Sequence, residues 1–228
     1  MSDPASDHGP SGPPFEQPAN FEFTAENLAR AQAHIAKYPE GRQASAVLPL
    51  LDLAQRQSGG WLPRAAMDRV AAILYMAPIR VYEVATFYTM FNLRPVGRYL
   101  LQACTTTPCW LRGSDDIVAA CEKKLGIGMG GSTEDGLFTL VEVECLGACV
   151  NAPILQVNDD FYEDLDGAAT EALLDSLKAG TVPQKGSVIG RRGSTPLSGK
   201  TTLIELPDAE VASGRAKSSQ GREGENAG

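Results

Sequence analysis

Two pairs of cysteines carry the chemistry of this sequence. Cys104 and Cys109 are separated by four residues in CTTTPCWLRG, and Cys145 and Cys149 by three in ECLGACVNAP. Each pair directly follows a stretch that reads as a β-strand, RYLLQAC (98–104) and LFTLVEV (137–143). If those strands are neighbours in one sheet, their ends bring four thiolates to one edge. Four like charges in a poorly solvated pocket repel strongly, so the sulfurs call for a metal ion or a metal cluster.

Two kinds of centre suit four cysteines. Zinc prefers tighter pairs but tolerates this spacing. A [2Fe–2S] cluster is wider than a single ion, and each iron takes two thiolates, so each pair can straddle one side of it. The flanking residues favour the cluster. Its sulfurs need backbone N–H donors, which the loops TTTPCWLRG and LGACVNA supply, and Gly147 lets the backbone approach without a Cβ in the way. Pro108 fixes the chain just before the second sulfur. Two ferric ions, two sulfides and four thiolates leave such a centre formally dianionic, and reduction adds one more negative charge. Nearby acids, with Glu142 and Glu144 as candidates, would therefore lower its potential.

The remaining reactive residues carry less. The only histidines are His8 and His34, neither near the cysteines, so a Rieske centre is not expected. Cys121 has Ile117 and Leu125 four residues to either side, which is the spacing of a buried helix face. A thiol–disulfide enzyme would need C-x-x-C at a helix start, and the spacing here is wider. GIGMGG (126–131) follows a helix rather than opening one and lacks a following Lys-Ser/Thr, so it reads as a helix stop and loop, not a phosphate cradle.

The elements that must position the cysteines fall into two groups. Residues 24–91 read as four short helices: one capped by Thr24, one capped by Ser45 and stopped by Gly59–Gly60, one opened by Pro63, and one over 79–91. Residues 98–180 read as strand, helix (114–126, capped by Ser114), strand, a hairpin of ILQV and FYED around 158–160, and a helix at 167–180 ended by Gly180. That order suits a compact α/β layer structure with a mixed sheet. The expected organisation is a tail at 1–20, a helical module at 21–95, the cysteine domain at 96–180 and an extended tail at 181–228. Both tails are polar and rich in Gly, Pro and Ser, as disordered segments are, apart from the short apolar TTLIELP (201–207).

The bulk numbers exclude several function classes. The 228 residues include 43% hydrophobic residues and carry a formal net charge of −8, which argues against nucleic-acid binding. No run is long enough for a membrane span, and residues 1–20 lack the apolar or arginine-rich character of a targeting peptide. Five cysteines, an odd number, suit metal ligands and core residues of a cytoplasmic protein better than a disulfide framework.

On CTTTPCWLRGSDDI and VECLGACVNAP, together with ATFYTMF and NDDFYEDL, residues 21–180 resemble the thioredoxin-like [2Fe–2S] subunits of the NADH-oxidising module of respiratory complex I, the NADH-quinone oxidoreductase. The resemblance implies an α/β fold in which a small helical bundle precedes a thioredoxin-like [2Fe–2S] ferredoxin domain. It implies one [2Fe–2S] cluster held by Cys104, Cys109, Cys145 and Cys149, and no catalytic side chain on this chain. It also implies a partner flavoprotein subunit that carries FMN and the NADH site and trades single electrons with the cluster. Other peripheral-arm subunits would surround the two, placing the chain on the cytoplasmic side of a bacterial inner membrane with no insertion into it. No dinucleotide fingerprint occurs in the chain, so NADH binding by this chain alone is not expected. The alternative assembly is the equivalent diaphorase of an NAD-linked hydrogenase or formate dehydrogenase. A zinc-stapled interaction module is the remaining alternative.

Overall fold

A computed structural model describes residues 15–191, 193–196 and 198. His8 and the TTLIELP stretch lie outside the described residues. Four helices come first: α1 (Ala25–Ile35), α2 (Val47–Gln57), α3 (Arg64–Ile73) and α4 (Pro78–Phe87). Their apolar faces meet in one core that includes Leu50, Leu51, Ala54, Leu62, Val70 and Val81. Thr24 caps α1 as the sequence suggests, its hydroxyl accepting from the Asn27 N–H at 3.2 Å.

Two details of this module differ from expectation. Ser45 does not cap α2; it sits in a 3₁₀ turn (Gln43–Ala46) that runs straight into the helix, and Ala46 holds the cap position. Pro49 is then the third helical residue, where its missing N–H would have had no partner. α4 stops at Phe87 although apolar sequence continues to Phe91, because the following residues find better partners. Asn92 receives a hydrogen bond from Leu62 N–H (2.7 Å) at its carbonyl. It donates its own N–H to Gln55 Oε1 (2.7 Å) and its side-chain amide to the Gly60 carbonyl (2.8 Å). Tyr88 turns extended to allow this, and Phe91 drops into the core. The described head is tied down as well. The Phe15 ring stands edge-on to Trp61 at 5.3 Å, and Gln17 accepts from the Arg64 N–H.

A mixed sheet follows. β1 (Tyr99–Cys104) is central, parallel to β2 (Phe138–Val143) and antiparallel to β3 (Ile154–Val157), which forms a hairpin with β4 (Asp160–Glu163). A two-residue strand, β5 (Gly186–Ser187), adds to β4, giving the order β2-β1-β3-β4-β5. Parallel neighbours need a long crossover. It runs through a short helix α5 (Thr107–Leu111), the longer α6 (Ser114–Leu125) and the glycine-rich loop. A last helix, α7 (Gly167–Lys178), lies beside α6, with Lys123 paired to Glu171 and Lys124 to Asp175. Ile117 and Cys121 of α6 and Leu173, Leu174 and Leu177 of α7 pack in one core with Leu101, Leu140, Leu155 and Tyr162 of the sheet.

Here too local chemistry adjusts the expected boundaries. Gly113, at φ 99°, holds the cap position of α6, and Ser114 is the first, buried residue of the helix with no capping bond. Asp166 caps α7 through Ala169 N–H (2.7 Å). Gly126 stops α6 in the left-handed region, as expected, but the glycine-rich loop that was expected to be flexible is tied to the sheet, Gly130 and Gly131 bonding back to Leu140 of β2. Ordered chain also continues past Gly180. The Tyr162 hydroxyl donates to the Pro183 carbonyl, and Lys185 pairs with Asp160. From Ile189 the chain forms a separate unit, within which Arg191 Nη1 donates to the Thr195 carbonyl. Among the described residues, no helix is long and apolar enough to cross a membrane.

Arg56 of α2 bridges the helices to the β3–β4 turn. Its Nη atoms hold the Asp159 carboxylate at 2.7 and 3.0 Å, and its Nε reaches Asp52. The Arg56 hydrogen bond holds the Asp159 pKa below the ordinary carboxylate value, against a smaller opposing effect of burial. A carboxylate depressed in the folded state adds stability above its unfolded pKa of about 3.9 and loses it as pH falls through the folded value. The side chains are 53% and 69% exposed, so the pair is worth well under about 1 kcal/mol. Asp159→Asn should lower the urea midpoint slightly at neutral pH, and the gap from the parent should close below pH ~4. A gap of equal size across that range would contradict the contact.

Candidate metal centre

The parallel pairing of β1 and β2 builds the site. In register, Cys104 at the end of β1 lies opposite Val143, the last residue of β2. Cys145 is two residues further on, so the first cysteine of each pair leaves the same edge of the sheet. α5 then returns Cys109 toward Cys104, with Pro108 in its first turn, and a 3₁₀ turn (Cys149–Asn151) returns Cys149 toward Cys145. The Cys145 and Cys149 sulfurs are 3.2 Å apart. The Cys104 and Cys109 thiols are near enough that each shifts the other's titration. All five cysteines are free thiols, and Cys121 is fully buried in the sheet core, away from the two pairs, as its helical spacing suggested.

The pairs differ in setting. Cys104 and Cys109 are buried in a small apolar cluster with Ala152 and Ile154, flanked by Leu146, Ala148 and Phe161. Cys145 is exposed and Cys149 half-buried. Within each pair one sulfur is the better anion. Burial pushes Cys104 up, but hydrogen bonds from the Thr106 hydroxyl, the Cys109 thiol and the Thr106 and Leu146 N–H groups outweigh it and bring it below an ordinary thiol. Cys109 is pushed up to about 12, by burial first and then by donating to Cys104. Cys145 is lowered, chiefly by the Gly147 N–H at 3.4 Å and then by Cys149. Cys149 is raised because it donates to Cys145.

This donor set fits a two-iron centre better than one ion. Binding of iron by either pair would displace its thiol protons. The Gly147 N–H donates to Cys145 Sγ, and the N–H groups of Thr106 and Leu146 near Cys104 and of Ile154 near Cys109 favour the charged sulfur, which is what the thiolates of a cluster need. Gly147 is required for its backbone angle, φ 80°; an added Cβ there would meet nothing within 4 Å. The sequence motif supplied the loops but not the individual donors. The role of the Thr106 hydroxyl was hidden because the short helix it precedes left no periodicity in the sequence.

Glu142 and Glu144 are both exposed, and the Glu142 carboxylate accepts from the Thr105 hydroxyl, one residue past Cys104. An exposed charge at several Å is worth under about 1 kcal/mol, so Glu142→Gln or Glu144→Gln should raise a midpoint at this site by roughly 10–40 mV. A redox titration in which neither variant rises would remove both acids from the account.

A family model described as thioredoxin-like [2Fe–2S] ferredoxin matches residues 31–178. NADH dehydrogenase [ubiquinone] flavoprotein 2, mitochondrial, of Dictyostelium discoideum is 54% identical over 82% of this chain and 76% of its own length. The E subunit of the NADH-quinone oxidoreductase of Rickettsia conorii is 61% identical over 70% of this chain and 95% of its own. A solved NAD+-reducing [NiFe]-hydrogenase in the H2-reduced state superimposes with a TM-score of 0.52 at 23% identity, over 59% of this chain and 23% of that one, a likeness of fold alone. With a family match over that span and relatives at such identity, the chain belongs to the thioredoxin-like [2Fe–2S] ferredoxin family.

Proposed function

We propose that this chain is the [2Fe–2S] electron-transfer subunit of an NADH-quinone oxidoreductase, holding one cluster through Cys104, Cys109, Cys145 and Cys149. The observation that carries this reading is the parallel β1–β2 pairing, which sends two cysteine pairs to one edge of the sheet, with the Cys145 and Cys149 sulfurs 3.2 Å apart. When bound, a [2Fe–2S] cluster accepts and returns one electron at a time. The chain's residues supply the rest. Cys104 and Cys109 would hold the cluster from a buried, apolar side, and Cys145 and Cys149 from the side nearer the surface. The backbone N–H groups of Leu146, Gly147 and Ile154 stabilise negative charge on the sulfurs.

The partner is a flavoprotein subunit bearing FMN and the NADH site, with which single electrons are exchanged. Trp110, Leu111 and Val150 stand 56%, 71% and 61% exposed directly beside Cys109 and Cys149. Large apolar residues held in water at a redox centre suit a partner surface that covers them. Purification of the tagged full chain from its own cells tests the assignment. The expected co-purifying proteins are the flavoprotein and other peripheral-arm subunits with NADH-quinone reductase activity. A hydrogenase or formate dehydrogenase large subunit in their place would transfer the chain to the diaphorase alternative.

A further inference from the structure

Resting on the cluster reading above, we infer that the Thr106 side chain is a potential-setting residue: its hydroxyl donates to the sulfur of Cys104 and holds the midpoint of the centre above the value that the backbone donors alone would give.

The geometry carries the inference. Thr106 Oγ1 lies 3.2 Å from Cys104 Sγ. A thiolate has no hydrogen, so with the metal-ligating form of Cys104 the hydroxyl must be the donor. Thr106 occupies the N-cap position of α5, where a threonine ordinarily spends its hydroxyl on a backbone N–H of the first turn. It makes no such bond. One of the usual recipients is missing, because Pro108 stands at the second helical position without an N–H. The hydroxyl is thereby left for the Cys104 sulfur.

The neighbouring threonines divide the local work differently. Thr105 gives its hydroxyl to Glu142, and Thr107 is exposed at the first position of α5. Leu146, Gly147 and Ile154 contribute main-chain donors, which substitution does not remove. Thr106 contributes a side chain, which substitution does. Addition of one electron places more negative charge on the sulfurs, and a donor aimed at them stabilises that form more than the oxidised one. Loss of the donor therefore lowers the midpoint.

The test is an EPR-monitored redox titration of the full chain, with dithionite as the one-electron reductant and iron and sulfide content measured first. Thr106→Val keeps the side-chain shape and removes only the donor; it should load its cluster and titrate at a lower midpoint than the parent. Thr106→Ser should return to the parent value, and Thr107→Ala should not depart from it. A loaded Thr106→Val with the parent midpoint, or a Thr106→Ser as low as Thr106→Val, would overturn the inference while leaving the cluster reading intact. A parent chain without iron and sulfide would overturn both.

Discussion

Cys109→Ala and Cys145→Ala should each lose most of their iron and acid-labile sulfide, whereas Cys121→Ala should keep both. On the proposed ligand set, each of these two variants would leave the cluster one protein sulfur short. For Cys109 the loss falls inside the apolar pocket, where no water or exposed side chain substitutes readily. Because the cluster binds the folded edge and not the unfolded chain, its binding free energy is folding free energy, and the ligand variants should also melt lower than the parent. Cys121→Ala removes one sulfur atom from a closed core and should cost about 1 kcal/mol with the cluster intact. Its thiol is pushed up to about 12, by burial first and then by Glu122, so it stays protonated and does not compete for iron. Metal analysis of the parent and of these variants together with Cys149→Ala, side by side, checks the set. An emptied Cys121→Ala beside a filled Cys149→Ala would mean that the ligands are misassigned.

Gly97→Ala should be the most damaging substitution outside the cysteines. A Cβ on Gly97 would stand 2.6–2.9 Å from the C, N and Cα atoms of Phe138. Those are backbone atoms of β2, so no rotamer change relieves the clash. The Gly97 N–H also donates to Thr139 Oγ1 at 2.7 Å, tying the entrance of β1 to β2 from the other side. The methyl group must push the two strands apart or shift their register. Overpacking of this kind costs about 3 kcal/mol, and more where only backbone can yield. Because the β1–β2 register sets Cys104 beside the chain leading to Cys145, cluster retention should fall with stability. Urea unfolding monitored by circular dichroism reads the first effect and iron content the second. A loss under about 0.5 kcal/mol would show that the strands are not seated this closely.

Much of the site could be read from residue spacing. Cysteines placed just past two apolar strand segments mark a shared edge only if the strands are parallel neighbours, and a helical segment between them makes that the natural connection. Cys121 was recognisable as a core residue from Ile117 and Leu125 alone. What escaped was decided by contacts distant in sequence or by hydrogen bonds that spacing does not encode. α5 is five residues long and contains a proline, too short for a periodicity to register. The end of α4 depends on Asn92 meeting Gln55 and Gly60, more than thirty residues earlier. Ser114 looked like a cap because serines usually are, yet Gly113 takes the positive φ that the turn requires. β5 consists of a Gly and a Ser, residues with no strand signature, held by pairing with β4 and by Val188 N–H bonding to the Glu163 carbonyl.

The most direct test of the account is the iron and acid-labile sulfide content of the isolated full chain, followed by EPR after one-electron reduction. Four sulfurs gripping a two-iron centre predict about two irons and two sulfides per chain, a red-brown colour, and one paramagnetic signal that appears only on reduction. A colourless chain carrying zinc, or one whose cysteines are recovered as disulfides with no iron, would contradict it.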